Sequence, residues 1–507
     1  MPSKVFSAAI VGLDAQIIEV ETETSYGLRR FEIVGLPDKA VQESRERVGA
    51  AIKSSGFSSP YQRPVRVLVS LAPADLKKEG SLYDLPIALG YLLASGQTKF
   101  EPQDKIALGE LALDGKLRTV KGVLSLALAA KRKGFSEIIL PKANAPEAAL
   151  VKSLKVIGAE SLKEVVNYLE KRKEILPFEI KIEDFLEKPN YPVDLAWIKG
   201  QQSAKRALEI AAAGSHNLLM QGPPGAGKTL LAKAVPSILP PLSFKESLEV
   251  TKIYSVAGLL PEEKPLINIR PFRAPHHTSS EAALIGGGNP PRAGEITLSH
   301  RGVLFLDEFP EFHRDVLEGL RQPIEEGEIT ILRAKHRLTL PACFMLIAAA
   351  NPCPCGFYRD PERECVCQPS QIQKYKRKLS GPLMDRIDLF IDVPQVRYEK
   401  LTASGKGDSS AEIRKRVGNA CQVQQKRFLL DKILTNSEMD IPKIKKYCQV
   451  DLSSQNLLKK YVNSGKLSAR GYHRVLKVAR TIADLEASEN ILLNHLSEAL
   501  MYRTRER

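Results

Sequence analysis

Long hydrophobic runs are missing from this sequence of 507 residues. No stretch approaches the ~18 consecutive apolar residues that a membrane-spanning helix requires. Residues 5–13 are apolar and follow Lys4, but Asp14 comes next and no small-residue cleavage pattern is clear, so we interpret the segment as a first strand rather than a signal peptide. We therefore expect a cytoplasmic protein with no membrane partner.

Cysteine is scarce, with seven residues in the chain, and acidic residues are outnumbered by basic ones. The resulting net charge of +15 favours polyanionic partners and makes their binding sensitive to salt, so nucleic acid is the leading class of partner. Apolar residues make up 43% of the chain, which is enough for ordinary globular cores. The length indicates about three domains.

A glycine-rich stretch after the apolar residues 217–220 has the pattern G-x-x-x-x-G-K-T. Glycines let successive backbone N–H groups turn towards phosphate oxygens, and the helix that begins near Lys228 directs its positive end to the same place. Lys228 is placed to reach the β and γ phosphates, and the Thr229 hydroxyl suits a Mg²⁺ position. The residues expected to bind the nucleotide are Gly222, Pro223, Pro224, Gly225, Ala226, Gly227, Lys228 and Thr229.

A second nucleotide signal is the apolar run 302–306, which is typical of a central parallel strand and is followed by Asp307 and Glu308. The carboxyl ends of such strands are where α/β sheets hold ligands. We expect Asp307 to complete the Mg²⁺ shell and Glu308 to orient and deprotonate the attacking water. The sequence therefore predicts binding and hydrolysis of a nucleoside triphosphate, with ATP and Mg²⁺ as cofactors.

Four of the cysteines form two close pairs, Cys353 with Cys355 and Cys365 with Cys367. Two pairs separated by a short loop are a plausible tetrathiolate zinc site, although the C-x-C spacing is tighter than the common C-x-x-C. Free thiols or a redox pair are the alternatives. The polar loop between the pairs is a candidate contact for a nucleic-acid backbone.

Three regions emerge along the chain, joined by a linker, and the fold class is α/β multidomain. Residues 1–169 alternate short strands, such as 106–113, with helices, as expected for an α+β domain, and residues 170–194 have the charge and proline content of a linker. An ATPase core with a parallel sheet is predicted for residues 195–395, including a Cys-rich knuckle at 353–367. Amphipathic helices predict an all-α lid over residues 396–507.

Six motifs together resemble the ComM/YifB group of bacterial magnesium-chelatase-like AAA+ ATPases, over essentially the whole chain. The motifs are Gly200-Gln201, PFRAPHHT at 271–278, PRAGEIT at 291–297, GVLFLDE at 302–308, ANPCPCG at 350–356 and GPLMDRIDL at 381–389. The resemblance implies a homohexameric ATP-driven branch-migration helicase that acts on single-stranded and branched DNA. It also implies a role in homologous recombination during natural transformation, in competent cells, with recombination proteins as possible partners.

The resemblance assigns further catalytic roles. Asn351 resembles the sensor-1 residue that helps to position water, and Arg386 resembles the arginine finger that a subunit gives to its neighbour's ATP. A planar guanidinium suits the charge that develops on the γ-phosphoryl group. Arg470 resembles sensor 2 on the lid, with Arg474 as the nearest alternative.

Two insertions resemble those that line the central pore in this clade. Residues 329–340 alternate like a hairpin, and its basic tip is a candidate DNA contact that would bind phosphates without reading sequence. A plain surface hairpin is the alternative. The residues at the tip of the hairpin are Arg333, Lys335, His336 and Arg337. The other insertion is the glycine-rich stretch 286–292.

The N-terminal domain resembles the proteolytic domain of Lon, but the catalytic pair is missing. The serine position of Lon-like proteases corresponds to Leu82, and the lysine position corresponds to Leu124. Ser81 and Lys121 are neighbours of these positions, yet a Ser–Lys dyad requires hydrogen-bond reach. We expect a peptidase-dead domain that serves assembly or DNA engagement.

Other functions remain open at this point. An ATP-dependent protease or unfoldase would need an intact Ser–Lys dyad, and none is apparent. If the sequence lacked the Lon-like domain and the thiolate knuckle, a chelatase-type ATPase that remodels a protein partner would be favoured. The sequence contains both features. A DNA-binding scaffold without enzymatic activity is disfavoured because both nucleotide motifs look intact.

Overall fold

A computed structural model describes residues 2–181, 185, 191–261, 263–288, 292–333, 336–378, 383–396, 407–431 and 433–503. The chain forms two compact units. The first comprises residues 1–187 and 247–267, and the second comprises residues 188–246 and 268–507. No helix within these described ranges is both long and apolar enough to cross a membrane.

The first unit is built on a mixed sheet of seven strands. Ile18, Val20, Val67 and Val69 are fully buried on one face of its central strands, in the alternation that a half-buried sheet requires. The sheet order is β3-β4-β2-β1-β5-β8-β9. The strands of this unit are Ser3–Val11 (β1), Asp14–Tyr26 (β2), Arg30–Val34 (β3), Val65–Ala72 (β4), Lys105–Ala107 (β5), Glu110–Leu111 (β6), Leu117–Arg118 (β7), Glu137–Pro141 (β8) and Lys155–Ala159 (β9). Of these, β6 and β7 pair with each other in a separate two-stranded sheet.

Helices cover this sheet. Asp38 caps the first of them by accepting a hydrogen bond from the N–H of Val41, and Ser161 caps the last by accepting from Glu164. The helices are Lys39–Ser54, Asp84–Ala94, Val123–Arg132, Ala145–Ala148 and Leu162–Leu169.

The second unit contains a five-stranded sheet in which every neighbouring pair is parallel, in the order β11-β14-β17-β10-β18. The strand Met345–Ala350 is buried along its whole length, as expected for a strand covered on both faces. The parallel arrangement brings the carboxyl ends of the strands to one edge. The strands of this unit are Leu218–Gln221 (β10), Phe272–Arg273 (β11), Gly286–Gly287 (β12), Arg292–Ala293 (β13), Val303–Leu306 (β14), Glu328–Arg333 (β15), His336–Pro341 (β16), Met345–Ala350 (β17) and Leu389–Asp392 (β18). Of these, β12 with β13 and β15 with β16 form separate two-stranded sheets.

Helices surround this sheet and form the C-terminal lid. The lid helices share one hydrophobic core with the sheet, in which Leu208, Ala211, Val475 and Ile482 are buried together. The longer helices of this unit are Gln202–Gly214, Lys228–Ile238, Pro369–Lys378, Ser410–Arg427, Ile441–Tyr447, Leu452–Asn463, Ala469–Leu485 and Leu493–Met501. The helix Phe244–Ala257 belongs to the first unit from residue 247 onwards. The short ones are Glu281–Leu284, Glu295–Leu298, Arg314–Gly319 and Arg321–Glu326.

The predicted fold class is confirmed, with an α+β N-terminal unit, a parallel sheet behind the phosphate loop and an all-helical C-terminal region. The predicted domain boundaries stay a prediction. The contacts place residues 247–267 in the first unit and group the parallel sheet with the C-terminal helices in the second. Ser255 explains the placement of residues 247–267: its hydroxyl donates to the buried carboxylate of Glu147, and its carbonyl accepts from the N–H of Gly122 at 3.2 Å. Part of the predicted linker, residues 182–184 and 186–190, lies outside the described residues.

Candidate nucleotide site

The phosphate loop connects β10 to the helix Lys228–Ile238. Gly225 and Gly227 have φ values of +76° and +87°, which residues with a Cβ rarely adopt. A Cβ at Gly222 would lie 2.1 Å from the carbonyl oxygen of Val393, so only glycine fits at the start of the loop. The glycines predicted to shape the loop are therefore required by its backbone.

Lys228 is buried at the base of this loop. Its Nζ donates to the carbonyl oxygens of Gly222 at 2.6 Å and Pro223 at 3.0 Å, and to Oδ1 of Asn351 at 3.0 Å. Burial lowers the pKa of Lys228 from its ordinary value. The structure thus brings the predicted phosphate-binding lysine together with the predicted sensor asparagine.

Thr229 and Asp307 meet next to the loop. The Thr229 hydroxyl donates to Oδ2 of Asp307 at 2.7 Å, and Oδ1 of the same carboxylate accepts from the N–H of Glu308 at 2.9 Å. A hydroxyl and a carboxylate oxygen at this distance are the donor set that Mg²⁺ prefers in nucleotide sites. The two residues fit the role of Mg²⁺ ligands.

Glu308 has φ +50° and ψ +42°, a left-handed conformation that is uncommon for a residue with a side chain. Such strain is held by the surrounding fold and is concentrated at functional sites. Nδ1 of His277 lies 3.0 Å from Oε2 of Glu308. His277 is a neighbour of the predicted base to which sequence reasoning gave no role, although the motif that contains it was noticed.

Asn351 follows the strand Met345–Ala350, which lies next to β14 and β10 in the sheet. Its backbone is hydrogen-bonded to the buried Tyr375 hydroxyl, and burial raises the pKa of Tyr375 to about 12. Tyr375 is a second contact that the sequence did not signal.

A cavity of about 420 Å³ lies beside the phosphate loop. Gln201 connects the two, because its Nε2 donates to the carbonyl oxygens of Ala226 at 3.2 Å and Pro394 at 2.6 Å. This position suits the base and ribose of a nucleotide whose phosphates lie in the loop. The cavity is lined by Ile198, Lys199, Gly200, Gln201, Gln202, Ser203, Lys205, Asp392, Pro394 and Gly407.

Arg386, the predicted arginine finger, lies in a short 3₁₀ turn, Met384–Arg386, before β18. Its Nη2 is 2.7 Å from Oε1 of Glu325, and only 11% of the Arg386 side chain is exposed against 51% for Glu325. Within one chain this guanidinium is therefore paired with a carboxylate that itself faces solvent.

The two sensor-2 candidates have different surroundings. Arg470 is 66% exposed and approaches the carboxylate of Asp385 only to 3.8 Å. Arg474 forms an ion pair with the buried carboxylate of Asp388, which also lies 3.6 Å from His216. Burial opposes ionisation of Asp388, but Arg474 and His216 outweigh it and hold its pKa well below the ordinary value.

The four clustered cysteines come together in space. Their sulfurs all lie within 4.8 Å of one another, with Cys353 to Cys355 at 3.3 Å, Cys353 to Cys365 at 3.7 Å and Cys355 to Cys365 at 3.6 Å. Four sulfurs around Zn²⁺ at ~2.3 Å would be ~3.8 Å apart, so the cluster has the dimensions of a tetrathiolate site. The N–H of Phe357 lowers the pKa of the Cys355 thiol to about 6. Cys367 accepts from the N–H of Cys355 at 3.3 Å.

The predicted pore insertions are antiparallel ribbons. In one, β15 and β16 pair Leu332 with Arg337 and Arg333 with His336, and Arg337 is exposed. Lys335 lies outside the described residues, as do the side chains of Arg333 and His336. In the other, β12 pairs with β13, and residues 289–291 of its tip also lie outside them.

In the described part of the first unit, the two positions that correspond to the Lon serine and lysine do not hold a Ser–Lys pair. Leu82 and Leu124 are buried, and the Ser81 hydroxyl donates to the carboxylate of Glu110. Lys121 lies against Gly258, since a Cβ built there would be 2.8 Å from Nζ of Lys121. A peptidase-dead domain stays a prediction.

Three family models match the chain. "Magnesium chelatase, subunit ChlI" matches residues 194–401, "Subunit ChlI of Mg-chelatase" matches residues 20–144, and "Magnesium chelatase, subunit ChlI C-terminal" matches residues 407–503. The matches fall on the sheet-bearing part of the second unit, on the first unit and on the lid.

Curated relatives match at full length. The chain is 44% identical over 505 residues to competence protein ComM of Haemophilus influenzae, which covers 98% of this chain and 97% of ComM. It is 42% identical over 515 residues to YifB of Escherichia coli, covering 100% of this chain and 97% of YifB. A shorter match of 161 residues is 27% identical to the Lon protease of Solibacter usitatus and covers 30% of this chain and 20% of that protease.

Proposed function

The chain belongs to the magnesium-chelatase-like AAA+ family that includes ComM and YifB, and we propose that it is a homohexameric ATPase that moves along DNA and drives branch migration. The observation that carries the ATPase part is the meeting of Lys228, Thr229, Asp307, Glu308 and Asn351 at one edge of the parallel sheet. These residues arrive from three separate strand ends, and their chemistry is that of phosphoryl transfer to water.

Each residue has a defined task in hydrolysis. The backbone of residues 222–227 and the ammonium of Lys228 bind the phosphates. Thr229 and Asp307 would hold Mg²⁺, which would supply positive charge to the phosphates. Glu308 accepts a proton from the attacking water, and Asn351 orients that water. The cavity lined by Gln201 holds the nucleoside.

Hexamer formation completes the site. Arg386 of one subunit supplies positive charge to the γ-phosphoryl group bound by its neighbour, a step that makes hydrolysis depend on the ring. The exposed carboxylate of Glu325 holds the guanidinium in the isolated chain and releases it on assembly. Arg470, which is exposed near Asp385, acts as sensor 2 from the lid.

DNA is the proposed track. The net charge of +15 favours a polyanion, and the exposed Arg337 marks the basic tip of a ribbon suited to a pore. The name of competence protein ComM points to a role in competence. We propose single-stranded and branched DNA as the substrates and other recombination proteins as partners. A cytoplasmic location is part of this proposal.

Zinc is proposed as the occupant of the four-cysteine cluster. The sulfur separations of 3.3–3.7 Å match a tetrahedral tetrathiolate. Cys353 lies two residues after Asn351, and a Cβ at Gly356 would lie 2.4 Å from Cδ of Pro224. A metal here would therefore fix the knuckle directly against the phosphate loop and the sensor.

An ATPase that remodels a protein partner, as a chelatase or an unfoldase does, is the second candidate. The observation that favours it is that all three family matches are to a magnesium chelatase subunit. Such a protein would hydrolyse ATP with the same residues but would not respond to DNA.

The deciding experiment measures ATP hydrolysis with and without single-stranded DNA, together with conversion of a labelled four-way junction. Glu308→Gln is the control, because the amide cannot accept the proton while its shape is retained. We expect hydrolysis that DNA stimulates and junction conversion that requires ATP, with both lost in the variant. Hydrolysis that is indifferent to DNA, without strand movement, would reject the DNA motor in favour of the protein-remodelling candidate.

A further inference from the structure

Asn217 directly precedes β10, the strand that leads into the phosphate loop, and its side chain is buried. Its Nδ2 donates to the backbone carbonyl oxygen of Arg386 at 3.2 Å, and its Oδ1 accepts from the N–H of Leu346 at 2.9 Å. Leu346 belongs to β17, the strand that ends just before Asn351. One buried amide therefore joins the turn that contains Arg386 to two strands of the parallel sheet.

The two hydrogen bonds of this side chain make opposite demands. The carbonyl oxygen of Arg386 requires a donor, whereas the N–H of Leu346 requires an acceptor, and an amide carries both groups on one short fork. A carboxylate of the same shape could not donate, and an apolar side chain could neither donate nor accept. The two backbone groups thus determine both the residue type and the orientation of the Asn217 side chain.

The backbone of Asn217 holds the residues that follow Arg386. Its carbonyl oxygen accepts from the N–H groups of Asp388 at 2.9 Å and Leu389 at 3.0 Å. Its own N–H donates to Oδ2 of Asp388 at 2.9 Å, and the same carboxylate is paired with Arg474 from the lid. Asn217 therefore fixes the chain from Arg386 to Leu389 through its side chain and its backbone together.

Arg386 lies at the edge of the sheet opposite its own phosphate loop. The strands β10 and β18 are parallel neighbours, and Gln221 at the end of β10 lies beside Asp392 at the end of β18. The phosphate loop follows Gln221, whereas Arg386 precedes Leu389, the first residue of β18. At ~3.3 Å per residue, the strand Leu218–Gln221 alone separates the two edges by ~10 Å. This placement suits a guanidinium that acts on a nucleotide held by another copy of the chain.

We infer that Asn217 is a positioning residue that sets Arg386 in place for the nucleotide of the neighbouring subunit. The inference rests on the proposed role of Arg386 in a ring, and it adds the side chain that fixes this arginine. Asn217 binds the backbone of the turn rather than the guanidinium. Arg386 can therefore exchange Glu325 for a phosphoryl group while its backbone stays anchored.

The test measures steady-state ATP hydrolysis and binding of a fluorescent ATP analogue for Asn217→Ala. A displacement of about 1 Å in a catalytic group can lower the rate about a hundredfold, so we expect kcat to fall by about ten- to a hundredfold. The affinity for the analogue should stay within about threefold of the wild type, because the variant keeps its own phosphate loop. A selective fall in kcat is the signature of a misplaced arginine.

Mixed rings separate positioning from loss of structure. Asn217→Ala subunits keep Glu308 but misplace Arg386, whereas Glu308→Gln subunits lack the base and keep Arg386 in place. Each subunit of a ring receives one arginine from one neighbour, so in an equal mixture about half of the Asn217→Ala sites face a well-placed arginine. We expect the rate per Asn217→Ala subunit to rise to about half of the wild-type rate. A neighbouring subunit could not restore a damaged fold in this way.

Asn144→Ala is the matched control. Asn144 is also a buried asparagine with a bridging amide, since its Nδ2 donates to the carbonyl oxygen of Val120 at 3.0 Å and its Oδ1 accepts from the N–H of Val120 at 2.9 Å. It lies in the first unit, so its replacement removes the same kind of bridge without touching Arg386. We expect kcat of Asn144→Ala to stay within about threefold of the wild type.

Three results would overturn the inference. They are a kcat of Asn217→Ala equal to that of Asn144→Ala, a low kcat that Glu308→Gln subunits do not raise, and a loss of analogue binding, which would make Asn217 a residue of the fold. The proposed function is checked separately by mixing Arg386→Ala with Glu308→Gln. If that mixture stays inactive, Arg386 does not act across subunits and the inference fails with it, whereas its recovery without recovery of Asn217→Ala rejects the inference alone.

Discussion

The hydroxyl of Thr229 donates a hydrogen bond of 2.7 Å to Oδ2 of Asp307. The two residues are far apart in the sequence and follow different strands of the parallel sheet, β10 and β14, with β17 between them. Only the folded sheet brings a hydroxyl and a carboxylate together next to the phosphate loop. This pair is the reason for assigning Mg²⁺ to this position.

Removing the Thr229 hydroxyl is expected to weaken the binding of Mg²⁺ rather than the binding of the nucleotide itself. Thr229→Ala leaves Asp307 as the remaining protein ligand, so the Mg²⁺ concentration that half-saturates ATP hydrolysis should rise about tenfold. Thr229→Ser keeps the hydroxyl and is the control. A Mg²⁺ titration at fixed ATP checks this, and equal curves for the alanine and serine variants would contradict the assignment.

We expect replacement of Lys228 to weaken nucleotide binding, and replacement of Glu308 to abolish hydrolysis while leaving binding intact. Lys228→Ala removes a buried cation from the phosphate loop, so affinity for a fluorescent ATP analogue should fall by about two orders of magnitude. Glu308→Gln should bind the analogue within about threefold of the wild type but not hydrolyse ATP. Fluorescence titration measures the first property and phosphate release the second. Equal loss of affinity in both variants would count against Glu308 as the base.

The sequence predicted correctly those elements whose structure depends on short segments of the chain. The phosphate loop, the buried strand Val303–Leu306 and the helix Lys39–Ser54 follow from glycine conformations, apolar runs and helical periodicity, all of which are properties of short segments. The single strand expected at 106–113 is wrong, because Gly109 has φ +159° and separates β5 from β6.

Pairings between distant segments could not be predicted in this way. His277 approaches Glu308 only because β11 and β14 are neighbours, and the sequence shows neither the register nor the direction of either side chain. Ser255 similarly joins the first unit through Glu147, a buried acid that nothing in the sequence singles out. The four cysteines were an exception, since their spacing alone suggested the cluster.

Zinc is expected at about one ion per chain, bound by the four clustered cysteines. Cys365→Ser should lose the metal, whereas Cys343→Ser should retain it, because Cys343 is exposed and is not a member of the cluster. Metal content by mass spectrometry measures this directly. The loss should also lower ATP hydrolysis, since Cys353 is two residues from Asn351. A metal-free wild type with four titratable thiols in the cluster would support the free-thiol alternative.

Arg470 and Arg474 are expected to differ in stability and in catalysis. Arg474→Ala leaves the buried carboxylate of Asp388 without its guanidinium, so the free energy of unfolding should fall by about 3 kcal/mol. Arg470→Ala removes an exposed side chain and should change stability by less than about 0.5 kcal/mol while lowering hydrolysis. Denaturant unfolding and steady-state kinetics distinguish them. A destabilised Arg470→Ala with normal kcat would remove Arg470 from the site.

The ion pair between Arg474 and Asp388 makes the free energy of unfolding depend on pH in the acid range. The pKa of Asp388 is lower in the folded chain than its ordinary value of about 3.9, so its stabilising contribution is complete above that value and is lost as the pH falls below it. The wild type should therefore lose more stability than Arg474→Ala between pH 5 and the acid transition. Parallel losses in the two proteins would show that Asp388 does not contribute.

The basic ribbon is expected to bind DNA phosphates. Replacing Arg333 and Arg337 with alanine should weaken binding to poly-dT and make the plot of log affinity against log salt shallower, by about 0.7 for each phosphate that the ribbon no longer neutralises. Arg118 and Arg132 are the matched control pair, because their side chains are 64% and 61% exposed and their replacement removes the same charge. Fluorescence anisotropy over a series of salt concentrations provides the slopes. An equal change for both pairs would mean that net charge, rather than the ribbon, controls DNA binding, whereas a change confined to the ribbon pair would place the DNA against β15 and β16.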